Sequence, residues 1–450
     1  MYFHKFPNEK GHYIVNFNIL KQIRQQIYDS FGRGADSLFN LCDALLCEDR
    51  ARSLPELSLS PCFERQWPSL YQALEQGKIQ TETLQQIWVN ALLADLPAGE
   101  PLWISVDATS IARPDAHTSQ DRGIIHVSNL PRAAKPISVG WQFSTVMLLP
   151  AVASSWVGIL DQRRIPTAQT AIEIAILQLQ ALIPLLHRPV IVLADRWYAT
   201  ADFLRACQEL GIQVLIRMKS NRRLYRRAVR PTKKQGRPPL DGPLLQPKRE
   251  ETLNGVAEEW SETSPTGKLT TVRRWTHLHF KTAREIEVSV VHVRREAAAD
   301  SKRDPRDSWF VMLDEQLPLS RIAPIYSHRF SHEHGYRYLK QDLFWTHVHV
   351  RTPEQFELWS QVVSIAMNQL RLARDLGQVC YRAWERRRTV VTPRQVRRVM
   401  GTILLQVGTP TRRCQKRGKS PGRALGFHPK RAKRYEVVIK GKKTTQKPTG

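Results

Sequence analysis

The sequence contains few cysteines and no long apolar run. Six cysteines occur in 450 residues, and none forms a C-x-x-C pair or a Cys/His spacing typical of a zinc site. No window of roughly 18 residues is wholly apolar, and residues 1–17 lack a charged segment followed by an apolar one. These absences argue against a disulfide-rich secreted protein and against a membrane-spanning one. We therefore expect a cytosolic protein whose thiols are reduced.

Acidic residues are also scarce. The chain has 68 Lys and Arg against 41 Asp and Glu, which gives a formal net charge of +27. Residues 1–100 have 9 basic and 12 acidic residues, so the whole excess lies in residues 101–450. The 42% hydrophobic content is that of a globular protein and excludes global disorder. The charge predicts a polyanionic partner, with nucleic acid favoured over an anionic membrane surface.

The first 219 residues predict two structural segments. Apolar residues recur at helical spacing between residues 13 and 95, which predicts an N-terminal helical domain over 1–98. From residue 99 to 219 the pattern changes to short apolar runs, typical of strands buried on both faces of a sheet. We expect a mixed α/β core with strands near 102–106, 124–127, 141–149, 190–194 and 212–216 and helices near 167–186 and 200–210.

The second half of the chain predicts three further segments. Residues 220–305 combine a Pro/Gly/Arg-rich stretch with alternating apolar residues, which predicts a β-rich insertion. The core resumes over 306–400 with a strand, a helical stretch near 324–344 and a long helix that opens on a capping box at Thr352. Residues 411–450 hold 14 basic residues and one acid, so we expect a disordered basic tail.

Two aspartates follow predicted strands. Asp107 ends the run Leu102–Val106, and Asp195 ends the run Val190–Ala194. Open α/β sheets bind ligands at the carboxyl ends of their strands, whereas a single Asp there equally well caps the following turn. Two carboxylates on neighbouring strands repel each other unless a proton or a metal ion lies between them. The pair therefore favours a ligand site over two caps.

A third group lies between residues 326 and 340. Steps of three and four residues place Tyr326, Arg329, Glu333, Arg337 and Lys340 along one face of a helix. A solvated face held by weak charge pairs is the structural alternative. A single carboxylate among cations is also what a metal and phosphodiester site needs, because the carboxylate binds metal and the cations hold phosphate oxygens.

Histidines near this group allow a less favoured alternative. A zinc site would need neighbouring ligands, but there is no cysteine nearby and no recognised zinc motif. The candidates for it are His328, His332, His334, His347 and His349.

These residues resemble a known family. The spacing Tyr326-(2)-Arg329-(3)-Glu333-(6)-Lys340 matches the Y-(2)-R-(3)-E-(6)-K signature of the insertion-sequence-4 group of DDE transposases. Asp107 in Val-Asp-Ala-Thr-Ser and Asp195 in Leu-Ala-Asp-Arg-Trp-Tyr resemble the first and second catalytic Asp of that group. The resemblance covers about residues 100–375, and the β-rich insertion falls between the second Asp and the Glu, as in the family.

The resemblance implies a ribonuclease-H-like fold and cut-and-paste DNA transposition by a homodimer bound to inverted-repeat ends and target DNA. It implies that Asp107, Asp195 and Glu333 bind two Mg²⁺ ions, for which Mn²⁺ would substitute. It also implies DNA-binding roles. Tyr326, Arg329 and Lys340 correspond to residues that grip the terminal phosphate, and Trp275 is the candidate for a Trp that holds a flipped base. Beside these residues, we expect Arg337 on the same helix face to contact DNA and the N-terminal helical domain to serve DNA-end binding or assembly.

Three alternatives stay open. A ribonuclease-H-like structure-specific nuclease would cleave DNA without joining ends. A domesticated DNA-binding protein would have lost transposition, although the intact acidic and cationic set argues against that. Trp275 is more simply read as a cross-strand packing residue.

Overall fold

The structure is a computed structural model. It describes residues 16–97, 99–127, 136–152, 154–229, 239–265, 267–296, 306–313, 317–379, 381–385, 390–415, 418 and 422–439. The helices are α1 (Phe17–Asp29), α2 (Ala35–Cys47), α3 (Leu54–Leu57), α4 (Trp67–Gln76), α5 (Thr81–Ala94), α6 (Ala171–Leu186), α7 (Ala201–Glu209), α8 (Leu319–Ser327), α9 (Phe330–Gln341), α10 (Pro353–Leu372) and α11 (Pro393–Val407).

The strands form one twelve-stranded sheet. They are β1 (Leu102–Ala112), β2 (Gly123–His126), β3 (Ile137–Leu148), β4 (Gly158–Ile165), β5 (Val190–Ala194), β6 (Gln213–Met218), β7 (Leu224–Arg227), β8 (Asp241–Leu245), β9 (Glu258–Thr263), β10 (Leu269–Phe280), β11 (Ala283–Arg295) and β12 (Asp307–Met312). The predicted mixed α/β fold with N-terminal helices is confirmed.

Five strands form the part of the sheet that carries the candidate site, in the order β4–β3–β1–β5–β6. Strand β3 runs antiparallel to β1, whereas β5 and β6 run parallel to β1. Helices α6 and α7 make the crossovers between the parallel strands, as such connections require. The sequence did not predict β4, because its middle residues, Asp161 to Arg164, are all polar.

The predicted insertion adds its strands to the same sheet. Strand β12 pairs with β6 on one side and with β11 on the other, so the sheet continues without a break into β11 and β10. Strands β7 and β9 both pair with β10, and β8 pairs with β7. The long β10–β11 hairpin therefore extends the core sheet rather than standing apart from it.

The N-terminal helices pack against the C-terminal ones. Helix α1 is capped by Asn16, whose Oδ1 accepts a hydrogen bond from the Ile19 amide at 2.9 Å, and it buries Leu20, Ile23 and Ile27. Helix α2 contacts both α10 and α11. The predicted capping box at Thr352 opens α10, and a second one at Thr392, which was not predicted, opens α11. Within the described ranges, no helix is both long and apolar enough to cross a membrane.

Part of the predicted disordered tail is docked, which corrects that prediction. The Tyr435 amide donates to the His117 carbonyl, and the Val438 amide donates to the Arg122 carbonyl, each at 2.8 Å. Val438 forms a parallel bridge with Gly123 at the start of β2. A short apolar and aromatic segment thus pairs with the free edge of the sheet, while Arg423, Lys430, Arg431, Lys433 and Arg434 before it are exposed. Residues 440–450 lie outside the described part of the chain.

Candidate active site

Asp107 and Asp195 lie side by side. In the parallel pairing of β1 with β5, Val106 is opposite Ala194, so the next residue on each strand is an aspartate. Adjacent strands are about 4.8 Å apart, which makes the two carboxylates neighbours. Strand β1 continues to Ala112 because β3 still pairs with it there, so Asp107 lies within a strand and not at its end as predicted.

The Asp107 carboxylate lies in a low-dielectric setting. Its Oδ1 accepts a hydrogen bond from the Ala108 amide at 2.8 Å, and its side chain is 22% exposed. Burial raises the pKa of Asp107 to about 7, the negative charges of Asp195 and Glu333 add to the rise, and the Arg329 guanidinium opposes it. A carboxylate with this pKa is easily neutralised by a proton or by a nearby cation.

Asp195 is held by the loop that follows β5. Its Oδ1 accepts a hydrogen bond from the Trp197 amide at 2.8 Å. Burial raises its pKa, against the opposing effects of the Trp197 amide and the Arg329 guanidinium. Tyr326 is buried and donates from its hydroxyl to the Ala194 carbonyl at 3.3 Å, so α8 is attached to the backbone immediately before Asp195.

Arg329 connects the aspartates to Glu333. Its Nη2 lies 2.6 Å from Glu333 Oε1, and its Nη1 lies 3.7 Å from Asp107 Oδ2. Arg329 is the residue before α9, and Glu333 is one turn into that helix. The guanidinium therefore lies between two of the three predicted catalytic carboxylates and balances their charge.

Lys340 and Tyr336 fix the rest of α9 to β1. Lys340 Nζ donates to Thr109 Oγ1 at 2.7 Å and to the Ser110 carbonyl at 3.1 Å, and burial lowers its pKa. The Tyr336 hydroxyl donates to the Asp107 carbonyl at 2.8 Å. Tyr336 was not predicted from the sequence. The signal that could have found it was its position three residues after Glu333, on the same face of the helix.

Two predicted DNA-binding residues do not join this group. Arg337 is about 40° round α9 from Glu333, on the side away from Lys340, and lines a separate groove. Trp275 is 2% exposed, stacks on Trp309 with 5.6 Å between ring centroids and donates from Nε1 to the Leu253 carbonyl at 3.2 Å. Its faces are covered, as the packing alternative predicts, and no open ring face is presented to a flipped base in this structure.

The histidines point to different partners. His332 is fully buried against Ser105 Oγ at 2.6 Å, and burial lowers its pKa to about 3, so it is neutral. His328 Nδ1 lies 3.1 Å from the Pro150 carbonyl, whereas His347 and His349 are exposed in a loop. Among the residues that the structure describes, no three His, Cys, Asp or Glu side chains are gathered as metal ligands. The zinc alternative gains no support.

The family follows from comparison with known proteins. Residues 26–280 match the model of a DDE superfamily endonuclease. This chain belongs to that family. The matched segment contains β1, with Asp107, and β5, with Asp195, and it ends before Glu333. A search of curated proteins gives no match.

Membership agrees with the fold, because the strand order β4–β3–β1–β5–β6 with flanking helices is that of a ribonuclease-H-like DDE protein. The family indicates a nuclease-type enzyme that acts on DNA. Such enzymes generally use divalent metal ions. Asp107, Asp195 and Glu333 offer the oxygen donors that Mg²⁺ prefers, and Asp107 Oδ2 faces the cationic Arg329. The donor atoms are of the type that suits a divalent cation, but the three carboxylates are not gathered as a ligand set among the described residues, and Glu333 is paired with Arg329.

Proposed function

We propose that this chain is a DDE transposase of the insertion-sequence-4 type, which excises an element at its inverted-repeat ends and joins it to target DNA as a homodimer. The main support is the contact of Arg329 with both Asp107 and Glu333, residues far apart in the sequence. Arg329 and Glu333 belong to the four-residue signature, and Asp107 lies beside Asp195 on the central strands. Arg329 therefore links the signature to the strand that carries Asp107, which supports the proposal.

In this proposal Asp107, Asp195 and Glu333 hold two Mg²⁺ ions. Bound metal supplies an activated water or 3′-hydroxyl and stabilises the leaving oxygen of the phosphodiester. The chain itself keeps the two aspartates together through the β1–β5 pairing. Tyr336 fixes the backbone of Asp107 against α9, which sets the distance between the strand and the helix that carries Glu333.

Tyr326, Arg329 and Lys340 would hold the cut DNA end. Arg329 presents a planar fork that suits two phosphate oxygens, whereas Lys340 is a point charge anchored on β1 beyond Asp107. Tyr326 would act through Arg329, because it is buried, is fixed to the Ala194 carbonyl, and has its ring centroid 5.7 Å from Arg329 Cζ. A cation on either side of Glu333 can hold a 3′-end while a second phosphodiester enters.

The carboxylates are tested by Asp107→Asn, Asp195→Asn and Glu333→Gln. Each should abolish cleavage of labelled element-end DNA in Mg²⁺ or Mn²⁺ while leaving DNA binding largely unchanged, because affinity for DNA comes mainly from cations. Asp202→Asn is the matched control, since its side chain is 81% exposed on α7. A variant that still cuts at the wild-type rate would remove its residue from the site.

The end-holding role is tested by Arg329→Ala and Lys340→Ala. Denaturing gels of labelled end DNA would follow nicks, double-strand cuts or hairpins, and strand-transfer products over time. Hydrolysis needs water and metal, whereas joining also needs a retained end, so both variants should lose later products more than the first nick. Equal loss of all products would contradict the role, and wild-type protein that never joins ends would favour a plain nuclease.

A further inference from the structure

Two cysteine thiols lie in contact outside the candidate active site. Cys47 is the last residue of α2, and Cys62 lies in the turn that follows α3. Both thiols are free, and they are hydrogen-bonded to each other. Both residues are partly exposed, so a small reagent can approach them from solvent. Two accessible thiols in contact have the arrangement from which a disulfide forms.

The backbone around Cys62 is anchored on both sides. The Cys62 amide donates to the Ser60 hydroxyl at 3.3 Å, and the Phe63 amide donates to the Ser60 carbonyl at 2.9 Å. The side chains of Leu57, Ser60 and Phe63 are buried. The fold therefore sets the position of the Cys62 thiol beside Cys47.

The end of α2 that carries Cys47 is also fixed. The Glu48 amide donates to the Ala44 carbonyl at 2.9 Å and closes the last turn of the helix. Arg397 of α11 is buried and donates to the Leu45 carbonyl from Nε at 3.0 Å and from Nη2 at 2.7 Å. Both thiols thus belong to fixed parts of the backbone, as a specific disulfide requires.

The surroundings of the two thiols differ in a way that assigns their roles. The hydrogen bond with the Cys47 thiol lowers the pKa of Cys62, and the Ser60 hydroxyl adds to the fall, whereas burial opposes it. The same contact and burial raise the pKa of Cys47. Because the thiolate is the nucleophile, Cys62 is suited to attack first and Cys47 to resolve the intermediate.

We propose that exchange with a low-molecular-weight disulfide, such as oxidised glutathione, converts Cys47 and Cys62 reversibly into an intramolecular disulfide. The Cys62 thiolate attacks one sulfur of the oxidant, which forms a mixed disulfide and expels one thiolate. Cys47 then loses its proton, attacks the Cys62 sulfur and expels the second thiolate. The protein loses two S–H bonds and gains one S–S bond, while the oxidant is reduced to two thiols that carry the two protons.

The disulfide would have a structural consequence. It closes residues 47–62 into a loop, which restricts the unfolded chain and so stabilises the folded one. Arg65, in the same segment, lies 3.2 Å through Nη2 from Asp36 Oδ2 on α2 and donates to the Arg412 carbonyl at 3.1 Å. Oxidation therefore ties to α2 the segment that also holds the start of the basic tail.

The test uses the full chain in buffers of increasing ratio of oxidised to reduced glutathione, trapped with N-ethylmaleimide in urea. Trypsin places Cys62 on residues 53–65, where it is the only cysteine. It places Cys47 on residues 34–50, together with Cys42. Mass spectrometry without reduction should show the two peptides joined, with Cys42 alkylated, and dithiothreitol should separate them. The oxidised chain should melt about 3 °C above the reduced one.

Two variants test the order of attack. In Cys47→Ser the mixed disulfide cannot be resolved, so glutathione should accumulate on Cys62. In Cys62→Ser the remaining thiol should take up several-fold less glutathione, because the pKa of Cys47 is raised. Cys414→Ser is the matched control, since it removes an exposed thiol of the tail and should leave the joined peptides and the rise in melting temperature unchanged.

Three results would overturn the proposal. They are a wild-type chain that stays reduced at every glutathione ratio, a link through Cys42 or Cys414 in place of the one between Cys47 and Cys62, and a link that forms only in urea. The first readout uses the wild-type chain, so it holds even where a variant fails to fold. No DNA is present, so failure of the proposed function would leave all of these outcomes unchanged.

Discussion

Two arginine–carboxylate contacts in this protein have similar chemistry and different surroundings. Arg24 of α1 lies 2.9 Å through Nη2 from both carboxylate oxygens of Asp43 on α2, and the side chains are only 1% and 5% exposed. Its Nη1 also donates to Gln369 on α10. Arg329 contacts Glu333, which is 45% exposed, and approaches Asp107 only to 3.7 Å. The first contact is closed and the second is open to solvent.

The two contacts differ in whether their carboxylates can exchange the arginine for another partner. A buried charge that loses its partner keeps its full desolvation cost, so the Arg24 contact cannot rearrange without unfolding the helices around it. Partly exposed carboxylates can be solvated, protonated or bound by another cation instead. The Arg329 contact is therefore suited to a site where the partners of the carboxylates change, and the Arg24 contact to joining the N-terminal helices to α10.

The largest effect is expected from breaking the closed contact. Arg24→Met should lower the free energy of unfolding by about 3–5 kcal/mol, because it leaves Asp43 buried without a counter-charge. Urea unfolding followed by circular dichroism would measure it. The double variant Arg24→Met/Asp43→Leu should regain most of the loss, since no buried charge remains. A double variant as unstable as the single one would show that packing, and not charge, is responsible.

The next largest effect is expected in the pH dependence of the stability that Arg24→Met loses. Burial raises the pKa of Asp43 in the folded protein even though Arg24 lowers it, and without Arg24 the pKa must rise further. A raised carboxyl pKa contributes stability below the unfolded value of about 3.9 that is lost as the pH rises through the folded value. The deficit of Arg24→Met should therefore be smaller at pH 5 than at pH 7. Unfolding curves at both values check this, and an equal deficit would mean that Asp43 is not the cause.

Local signals explain what the sequence predicted well. The all-apolar run of β5 and the alternation of β10 gave strands at 190–194 and 269–280, which are the bounds in the structure. The Thr352 capping box marked the start of α10 because its two hydrogen bonds join residues only three apart. The same signal at Thr392 was readable and was missed.

Tertiary contacts explain the features that the sequence did not predict. The polar strand β4 is held by pairing with β3, which no local pattern records. Tyr336 matters through the backbone of a strand more than two hundred residues away. The regular spacing across residues 326–340 does not describe one continuous helix, because α8 ends at Ser327 and α9 begins at Phe330. Arg337 shares α9 with Glu333 and Lys340, and it lies to one side of them only because four residues exceed one helical turn of 3.6. The catalytic role of Glu333 stays a prediction.

A smaller effect is expected when the open contact is broken. Arg329→Met should change the free energy of unfolding by no more than about 1 kcal/mol, since Glu333 is half exposed and Asp107, with a pKa of about 7, can take up a proton. Arg24→Met is the matched substitution, and the ratio of the two losses in the same urea series tests the comparison directly. Losses of equal size would mean that both contacts are structural.

The smallest effect on stability is expected in the basic tail, because its charges belong to neither of the two arginine–carboxylate contacts compared above. Lys430, Arg431, Lys433 and Arg434 are all exposed and precede the docked segment. Replacing all four with Gln should leave the urea midpoint unchanged, because the Tyr435 and Val438 backbone bonds to the β2 edge remain.

The same variant should flatten the salt dependence of DNA binding, equally for element-end and unrelated duplexes. The log–log slope should fall by about 0.9 for each phosphate that these cations no longer neutralise. Deletion of residues 411–450 is the companion variant, since it removes the charges and the docked segment together. If the Gln variant keeps the full slope while the deletion lowers it, the other tail charges contact DNA. If neither changes the slope, the tail lies off the DNA, and the basic excess of the chain acts through the folded core.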